Sequence, residues 1–413
     1  MPEASEIRLL VPDRPAQPVD EVRRVAAGYW GLEGRFDALR AERDQNFLVE
    51  TADASRFVFK ITNKDELEDV VDFQLGALLH IATQDPELPV PRVVPGLDGQ
   101  VYRAVRFANG DEHIVFALSY LPGQLVSAAG QDIQPALRRR LGEFIARIDL
   151  ALRGYFHPAA FQRRAWNFET CAELEPFVSH IESGEDREAV GQVFERMRDV
   201  VVPKIRSLRH QVIHHDAHGG NLLLDPDDAS VPTGVIDFGD LLYGTLAAEV
   251  AIACDGMTRG SHSVAAACEL IAGFDAALPL EEDEIDLVFD LVCARNAMSA
   301  TIAATRRALA PEQRAHIGTP EDLVEKLRAL YCVGRKESSR RLRNACRFPV
   351  YCPASAREAL SDDAEAELVA ARHALMGRKA THFYARPMHF ERARGPWLYS
   401  TDGHRYLDCY NNV

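Results

Sequence analysis

The stretch VIHHDAHGGNLLLD at 212–225 and the shorter GVIDFGD at 234–240 decide how this chain is interpreted. In both, apolar runs flank a few polar residues, which places the polar side chains at strand ends. One carboxylate can orient and deprotonate an attacking hydroxyl, while an amide and a second carboxylate offer hard oxygen ligands to Mg²⁺. The order of these groups therefore suits phosphoryl transfer, with Asp216 as the base and Asn221 and Asp237 as metal ligands.

Three histidines beside the predicted base leave other interpretations open. His214 is predicted to orient the loop through hydrogen bonds. With His215, His218 and Asp216 it could instead form the ligand cluster of a metallohydrolase, because histidines at short spacing are common metal ligands. That alternative gives no role to Asn221 or to the downstream IDFGD. A purely structural turn would not require so many polar groups between apolar strands.

The patterns on either side of these motifs predict an α+β fold with two lobes. Strand-like runs and one amphipathic helix come first, and after a hinge near 119–124 the chain is mostly helical. The predicted parts are an N-terminal arm at 1–18, a small antiparallel-sheet lobe at 19–123, a larger helical lobe at 124–345, a linker helix region at 346–380 and a distinct segment at 381–413.

Composition excludes a mostly disordered chain, a collagen-like fibre and a pure coiled coil. The chain has 413 residues, 47% hydrophobic and 26% charged, which is an ordinary globular balance. A net charge of −15 disfavours binding to nucleic acid and to anionic membranes. Eight cysteines without a CxxC pair predict reduced thiols in a cytoplasmic protein. We see no signal-peptide pattern and no run of 18 uncharged apolar residues, so no membrane span is predicted.

The two motifs together carry a resemblance to a known group of enzymes. H-x-D-x-x-x-x-N at 214–221, followed by IDFGD at 236–240, resembles the aminoglycoside phosphotransferase and choline kinase superfamily, in particular its hydroxylysine-kinase-like branch. The resemblance covers about 20–345. It implies a protein-kinase-like fold, ATP and Mg²⁺ as cofactors, and phosphoryl transfer to an alcohol. No Ala-Pro-Glu motif follows, so a small-molecule acceptor is implied.

The resemblance also implies a lysine in the sheet lobe that pairs with nucleotide phosphates. Lys60, in the strand FVFKI, is predicted to be this residue, although a surface lysine is the alternative. Its partner is expected on the helix at 64–83. Glu68 and Asp72 lie one turn apart on one face there, and the family pattern favours Asp72.

Two further nucleotide contacts are implied. The loop ERDQNF at 42–47 resembles the polar loop that replaces a glycine-rich loop in this branch, so Gln45 and Asn46 are predicted to contact phosphate. An ordinary polar hairpin turn is the alternative. The hinge SYLPG at 119–123 is expected to offer the backbone groups of Tyr120 and Leu121 to adenine.

The acceptor site is predicted from the acidic residues after the second motif. The family builds an acidic pocket from this region, which implies an amine-bearing small molecule bound by Asp240, Glu249 and Asp255. Solvated helix faces are the competing interpretation. Trp166 and Asn167 resemble a block of the hydroxylysine-kinase-like branch and receive no chemical role.

The last segment resembles a different family. RPMHFERARGPWLYSTDGHRYLDCYNNV at 386–413 predicts a hairpin with a turn at 401–403, and it is similar to the opening of class III pyridoxal-phosphate aminotransferases. A chance edge hairpin is the alternative. The resemblance implies a fusion, with pyridoxal phosphate only in a downstream domain and with that domain as a possible means of homo-oligomerisation.

A fusion of this kind suggests a chemical logic. A kinase would convert a hydroxyl into a good leaving group, which a phospho-lyase would then expel. The predicted acceptor is therefore an amino alcohol or a hydroxy-amino acid. An aminoglycoside antibiotic kinase and a non-catalytic pseudokinase remain the alternatives.

Overall fold

A computed structural model of the chain describes residues 14–128, 133–162, 164–257, 263–310, 318–348, 362–376, 388, 390–394, 396–400 and 404–409. These residues fall into two units, Met1–Cys346 and Arg347–Val413, which are described separately. The larger part of the predicted N-terminal arm, 1–13, and the predicted turn at 401–403 lie outside the described residues.

An antiparallel sheet forms the first part of unit 1. Its six strands are β1 (Arg35–Leu39), β2 (Gln45–Glu50), β3 (Arg56–Ile61), β4 (Val93–Val94), β5 (Arg103–Arg106) and β6 (Glu112–Ser119). The strand order is β1-β2-β3-β6-β4, and β5 also pairs with β6. Helix α1 (Val19–Trp30) precedes the sheet, and α2 (Glu68–Gln84) connects β3 to β4.

One face of the sheet is apolar and is covered by a helix. Phe47 and Val49 of β2 and Phe59 and Ile61 of β3 lie in one hydrophobic cluster, as expected from the two-residue period of a strand. Trp30 of α1 packs edge-to-face on Phe59, with ring centroids 5.5 Å apart. Helix α1 therefore covers this face.

The second part of unit 1 is mainly helical. Its helices are α3 (Pro135–Leu152), α4 (Gly184–Arg196), α5 (Val202–Ile205), α6 (Leu246–Met257), α7 (Ser263–Ala277), α8 (Glu282–Leu309), α9 (Pro320–Val333) and α10 (Arg335–Ala345). A 3₁₀ segment at Phe168–His180 precedes α4. Among the described residues, α8 alone is long and apolar enough to cross a membrane, yet 94% of its apolar window is buried within the protein, as in a core helix.

Short strands hold the two motifs. The strands are β7 (Gln124–Leu125), β8 (His210–Ile213), β9 (Leu222–Leu224), β10 (Pro232–Val235) and β11 (Leu242–Thr245). Strands β8 to β11 lie between α5 and α6, and β7 precedes α3. They form a three-stranded sheet, β10-β9-β7, and a two-stranded pair, β11-β8. Each motif residue thus lies next to the end of a strand.

Unit 2 contains a helix and a small sheet. Helix α11 spans Asp362–Met376, and strands β12 (Phe390–Arg394), β13 (Trp397–Ser400) and β14 (Arg405–Leu407) pair antiparallel in that order. The predicted hairpin is present as β13 and β14. The additional strand β12 was not predicted.

The predicted two-lobed α+β fold is confirmed. In the helical part the chain is helical without a break from Gly184 to Ile205, because α4 is followed directly by a π-helical turn at Met197–Val201 and by the short α5. Pro203 accounts for the π-helical turn, because proline has no N–H to donate and its ring clashes with the preceding turn.

Helices α3 and α7 touch through their backbones. A Cβ added at Gly142 would lie 2.0 Å from the carbonyl oxygen of Leu270, and one added at Gly273 would lie 2.0 Å from that of Arg139. Both distances are far below a van der Waals contact. Glycine is therefore required on both sides of this crossing.

We expect Gly142→Ala and Gly273→Ala each to lower the free energy of unfolding by about 1–3 kcal/mol or more, because the added methyl forces the helices apart. Gly191→Ala in α4 is the matched control, since a Cβ there meets nothing within 4 Å. That variant should gain about 0.5–1 kcal/mol from helix propensity. Urea unfolding of the three variants is the measurement, and equal effects at all three positions would contradict the close crossing.

Candidate active site

The loop after β8 brings the predicted base and a predicted metal ligand together. The Nδ2 of Asn221 donates to Oδ2 of Asp216 at 2.6 Å and to the backbone oxygen of Asp216 at 2.9 Å. Both side-chain hydrogen bonds of Asn221 use its nitrogen, which leaves the amide oxygen for another partner. Their roles as base and metal ligand stay predictions.

His214 connects this loop to the second motif. Its Nδ1 accepts from the backbone N–H of Asp216 at 3.2 Å, and its Nε2 lies 3.2 Å from the backbone oxygen of Ile236. Burial lowers the pKa of His214 to about 4, so the ring is neutral and its Nε2–H donates to Ile236. The backbone N–H of Ile236 donates in turn to the backbone oxygen of Asn221 at 2.9 Å.

Asp237 lies at the mouth of this arrangement. Its backbone is in the left-handed region, with φ of 63°, which is uncommon for a residue with a side chain and is typical of functional sites. Its side chain is 56% exposed, and its Oδ1 lies 3.9 Å from Nζ of Lys60. The carboxylate is thus open to a ligand on one side and faces a cation on the other.

Lys60 is buried between two carboxylates. Its Nζ lies 3.4 Å from Oδ2 of Asp44 as well as 3.9 Å from Asp237. Burial opposes the charged form, but Asp237 and Asp44 outweigh it and raise the pKa of Lys60 above its ordinary value. Lys60 is therefore a fixed positive charge next to Asp237.

The predicted pairing of Lys60 with helix α2 is wrong. Oδ2 of Asp72 lies 3.2 Å from Nε2 of His157, and Glu68 accepts from the hydroxyl of Tyr102. Asp44 contacts Lys60 instead. It can do so because Asn46, two residues further along the chain, lies directly opposite Lys60 in the β2–β3 ladder. The loop before β2 consequently runs alongside the lysine.

Two ion pairs connect this loop, residues 40–44, to the helical lobe. The Nη2 of Arg43 lies 2.6 Å from Oδ1 of Asp240, and Glu42 lies 2.6 Å from Nη2 of Arg306. Asp44 also accepts from the backbone N–H of Asn63 at 3.1 Å. Sequence reasoning missed these contacts because they join residues far apart in the chain.

Gln45 does not have the role that the sequence suggested. Its amide makes two hydrogen bonds with the backbone of Gln17, at 2.8 and 2.9 Å, and so anchors the end of the N-terminal arm. Gln17 is itself buried and contacts His113. Asn46 has a buried side-chain oxygen without a partner among the described residues, so its predicted phosphate contact stays open.

The hinge residues differ in what they can offer. The N–H of Tyr120 donates to the backbone oxygen of Arg56 at 3.2 Å, and the Arg56 guanidinium stacks on the Tyr120 ring. Leu121 makes no backbone hydrogen bond within the described part of the chain. Of the two predicted adenine contacts, Leu121 therefore has the available backbone groups.

The three predicted acceptor carboxylates all have partners within the protein. Glu249 is fully buried and accepts from the backbone N–H of His215 at 2.6 Å. It therefore supports the loop after β8. Asp255 binds Lys326 at 2.5 Å and Asn296 at 2.7 Å. Asp240 binds Arg43, as described above. A substrate would have to reach the buried Glu249, and the other two carboxylates are already paired, so the three acceptor contacts stay predictions.

An arginine that the sequence analysis did not consider contacts the predicted base. Nη2 of Arg295, in α8, lies 3.0 Å from Oδ1 of Asp216, and Nε2 of His218 lies 3.4 Å from the same atom. The Arg295 guanidinium stacks on Trp166, 4.2 Å from the ring centroid. Its signal in the sequence is a single charge within the apolar run LVCARNAM at 291–298.

The metallohydrolase alternative has no ligand set here. Among the residues that the structure describes, no group of three or more His, Cys, Asp or Glu side chains could hold a metal ion. His214 is occupied by two backbone contacts, and Nδ1 of His218 accepts from the N–H of Gly220. Asn221 and Asp237 instead offer hard oxygens beside Lys60, a donor set that fits a divalent metal shared with phosphate.

The buried carboxyl of Glu249 has a pH-dependent effect on stability. Burial is the main cause that raises its pKa from 4.5 to about 7, and it also raises that of its neighbour Asp149. The group is protonated in the folded protein at a pH where it ionises in the unfolded chain. Its contribution to stability is therefore present below 4.5 and is lost as pH rises through about 7.

We expect Glu249→Gln to keep the acceptor for the N–H of His215 and to remove this pH dependence. The free energy of unfolding of the variant, relative to wild type, should rise between about pH 5 and about pH 8. Urea unfolding at both values checks this, with Glu143→Gln on the exposed face of α3 as the control. A difference in the free energy of unfolding between variant and wild type that is the same at both pH values would contradict the raised pKa of Glu249.

Comparison with known proteins agrees with this geometry. The family model described as phosphotransferase enzyme family matches residues 37–280. Hydroxylysine kinase of Mus musculus is 26% identical over 326 residues, which are 73% of this chain and 86% of that protein. Hydroxylysine kinase of Danio rerio is 27% identical over 309 residues, 72% of this chain and 86% of that protein.

Solved structures show the same fold. A microcompartment-associated aminopropanol kinase covers 81% of this chain and 100% of its own, with 18% identity and a TM-score of 0.58. An amicoumacin kinase in complex with AMP-PNP, Ca²⁺ and Ami covers 82% of this chain and 96% of its own, with 14% identity and a TM-score of 0.57. Because the family match spans 37–280, more than half of the sequence, the chain belongs to the phosphotransferase enzyme family and transfers a phosphoryl group to an alcohol.

Proposed function

We propose that this chain is an ATP- and Mg²⁺-dependent kinase that phosphorylates a hydroxyl of an amine-bearing small molecule, either an amino alcohol or a hydroxy-amino acid. The observation that carries the proposal is the contact of Asp216 with Asn221, together with Asp237 beside Lys60 in the same cleft. Family membership implies ATP and a divalent metal, and the oxygen donors described above suit Mg²⁺.

Each side chain of the cleft has a proposed role. Asp216 orients the acceptor hydroxyl and accepts its proton. Asn221 and Asp237 hold the metal, which when bound neutralises charge on the phosphates. Lys60 adds a positive charge for the phosphates, and His214 positions the loop through its two backbone contacts. The intact set argues against a pseudokinase.

The proposed acceptor class rests on the curated relatives. These are named hydroxylysine kinases, and they match along most of their own length. Hydroxylysine is a hydroxy-amino acid, which lies within the class that the sequence suggested. An aminoglycoside acceptor would rest on fold likeness alone, because the solved aminoglycoside kinases are 18% identical or less.

We further propose that the chain is the N-terminal part of a fusion. In this proposal 19–345 form the kinase, 346–380 a linker, and 381–413 the first strands of a class III aminotransferase or phospho-lyase domain. Support comes from the separate sheet of unit 2, in which β14 includes Tyr406 and Leu407 of the pattern and Asp408 follows directly. A cytoplasmic location, consistent with the free thiols of Cys171, Cys254 and Cys293, and oligomerisation through a downstream domain belong to the same proposal.

A coupled assay of ADP release tests the function. The purified chain is supplied with Mg·ATP and, one at a time, with hydroxylysine, threonine, aminopropanol, ethanolamine, choline and an aminoglycoside. Phosphorylation of an amino alcohol or a hydroxy-amino acid is the expected result. Turnover of the aminoglycoside alone would favour the antibiotic kinase, and no turnover with any acceptor would contradict the proposal.

Two carboxylate variants should separate the base from the metal ligand. Asp216→Asn should lower turnover by roughly 10²–10⁴-fold and keep Mg·ATP binding, because it removes only the proton acceptor. Asp237→Ala should lose Mg²⁺-dependent nucleotide binding, because it removes a charged ligand. Calorimetric titration and steady-state kinetics are the measurements. Near wild-type turnover of Asp216→Asn, or unchanged Mg·ATP affinity of Asp237→Ala, would refute the respective role.

Deletion of 381–413 tests the proposed domain boundary. Because this segment belongs to unit 2, its removal should leave kinase activity and melting temperature nearly unchanged. Deletion of the N-terminal residues 1–18 is the comparison, since Gln17 packs on Gln45 and His113, and it should lower the melting temperature. A large loss of activity on removing 381–413 would mean that the segment completes the kinase.

A further inference from the structure

The charges around the predicted base favour an anion over an amine. Asp240 and Asp255, two of the expected amine ligands, are each paired with a cation, and Glu249 is inaccessible. The positive charge of Arg295, by contrast, lies directly against Asp216. The acceptor side of the cleft therefore carries paired carboxylates and an arginine that donates to Asp216 through one of its two terminal nitrogens.

Arg295 has an unused donor. Its residue is only 7% exposed, and Nη1 is buried without a hydrogen-bond partner among the described residues, while Nη2 donates to Asp216. A buried donor without a partner is costly, which makes a missing ligand a natural explanation. Among the described side chains that contact Asp216, Arg295 is the one with a buried donor that lacks a partner.

The surroundings of Arg295 suit recognition of a planar anion. Its Cζ lies over the ring of Trp166, 4.2 Å from the centroid, and the planar fork of a guanidinium matches the geometry of a carboxylate. Trp166 is itself partly exposed and lies in a turn, between the buried arginine and solvent. An acceptor whose hydroxyl reaches Asp216 would also approach this guanidinium, because Nη2 of Arg295 lies 3.0 Å from Oδ1 of Asp216.

We propose that Arg295 is a specificity-determining residue that binds a carboxylate of the acceptor through the nitrogen that Asp216 does not use. The inference rests on the proposed function and narrows it from amino alcohols and hydroxy-amino acids to the latter. Trp166 holds the guanidinium in place. The arginine then selects an acceptor that carries a carboxylate over the otherwise identical amine that lacks it.

The test compares acceptors that differ only in the carboxylate. The pairs are threonine with aminopropanol, serine with ethanolamine, and hydroxylysine with its decarboxylated diamino alcohol. For at least one pair, wild type should prefer the acid by roughly 10–100-fold in kcat/KM, the usual value of a charge-assisted contact. Arg295→Gln should reduce this ratio to near one, mainly by raising KM for the acid, and Arg295→Lys should retain part of it.

Arg196→Gln is the matched control. Arg196 makes two hydrogen bonds with Asp290 on the same helix α8 and is not a contact of Asp216. That variant should keep the wild-type ratio. If Arg295→Gln does not fold, as its melting curve would show, the ratios of wild type and of Arg295→Lys decide the question.

The outcomes distinguish this inference from the proposed function. An equal loss for both members of a pair in Arg295→Gln would overturn it, because Arg295 would then act only on Asp216. A wild-type ratio near one in every phosphorylated pair would also overturn it while leaving the kinase in place. If no acceptor of any pair is phosphorylated, the proposed function fails, and this inference fails with it.

Discussion

The cleft depends on a neutral imidazole in a place that water does not reach. His214 accepts from one backbone N–H and donates to one backbone oxygen, and these belong to the two separate motifs. Burial keeps the ring uncharged, which is what allows it to use one nitrogen as acceptor and the other as donor. Through this bridge the loop at 214–221 and the turn at Asp237 keep a fixed relative position. The ring also packs edge-to-face on Phe238, with centroids 4.7 Å apart.

Local patterns in the sequence were sufficient for much of this arrangement. The lobes follow from runs of alternating or helical periodicity, and the contact of Asp216 with Asn221 spans only five residues. The contact of Lys60 depends instead on how neighbouring strands pair. Lys60 was assigned to Asp72 on a helix close in sequence, whereas its partner is set by strand pairing opposite Asn46. The register of a hairpin determines which residues face each other across its strands, and the periodicity of the sequence does not predict that register.

The acceptor side differs from the acidic pocket that the family resemblance implied. Asp240 and Asp255 are paired with a guanidinium and an ammonium within 2.6 Å. A buried carboxylate without a partner would be costly, so each is either paired or, like Glu249, held where its pKa rises toward neutrality. Net charge therefore describes the surface of this protein, while the interior follows pairwise neutralisation. Arg295 could be suspected only from a single charge in an apolar helix.

The crossing of α3 and α7 has a consequence for motion. Where Gly142 and Gly273 bring two backbones into contact, neither helix can slide or roll past the other without a clash of main-chain atoms. Packed side chains can exchange rotamers, but touching backbones have no such freedom. These helices therefore move as one rigid body.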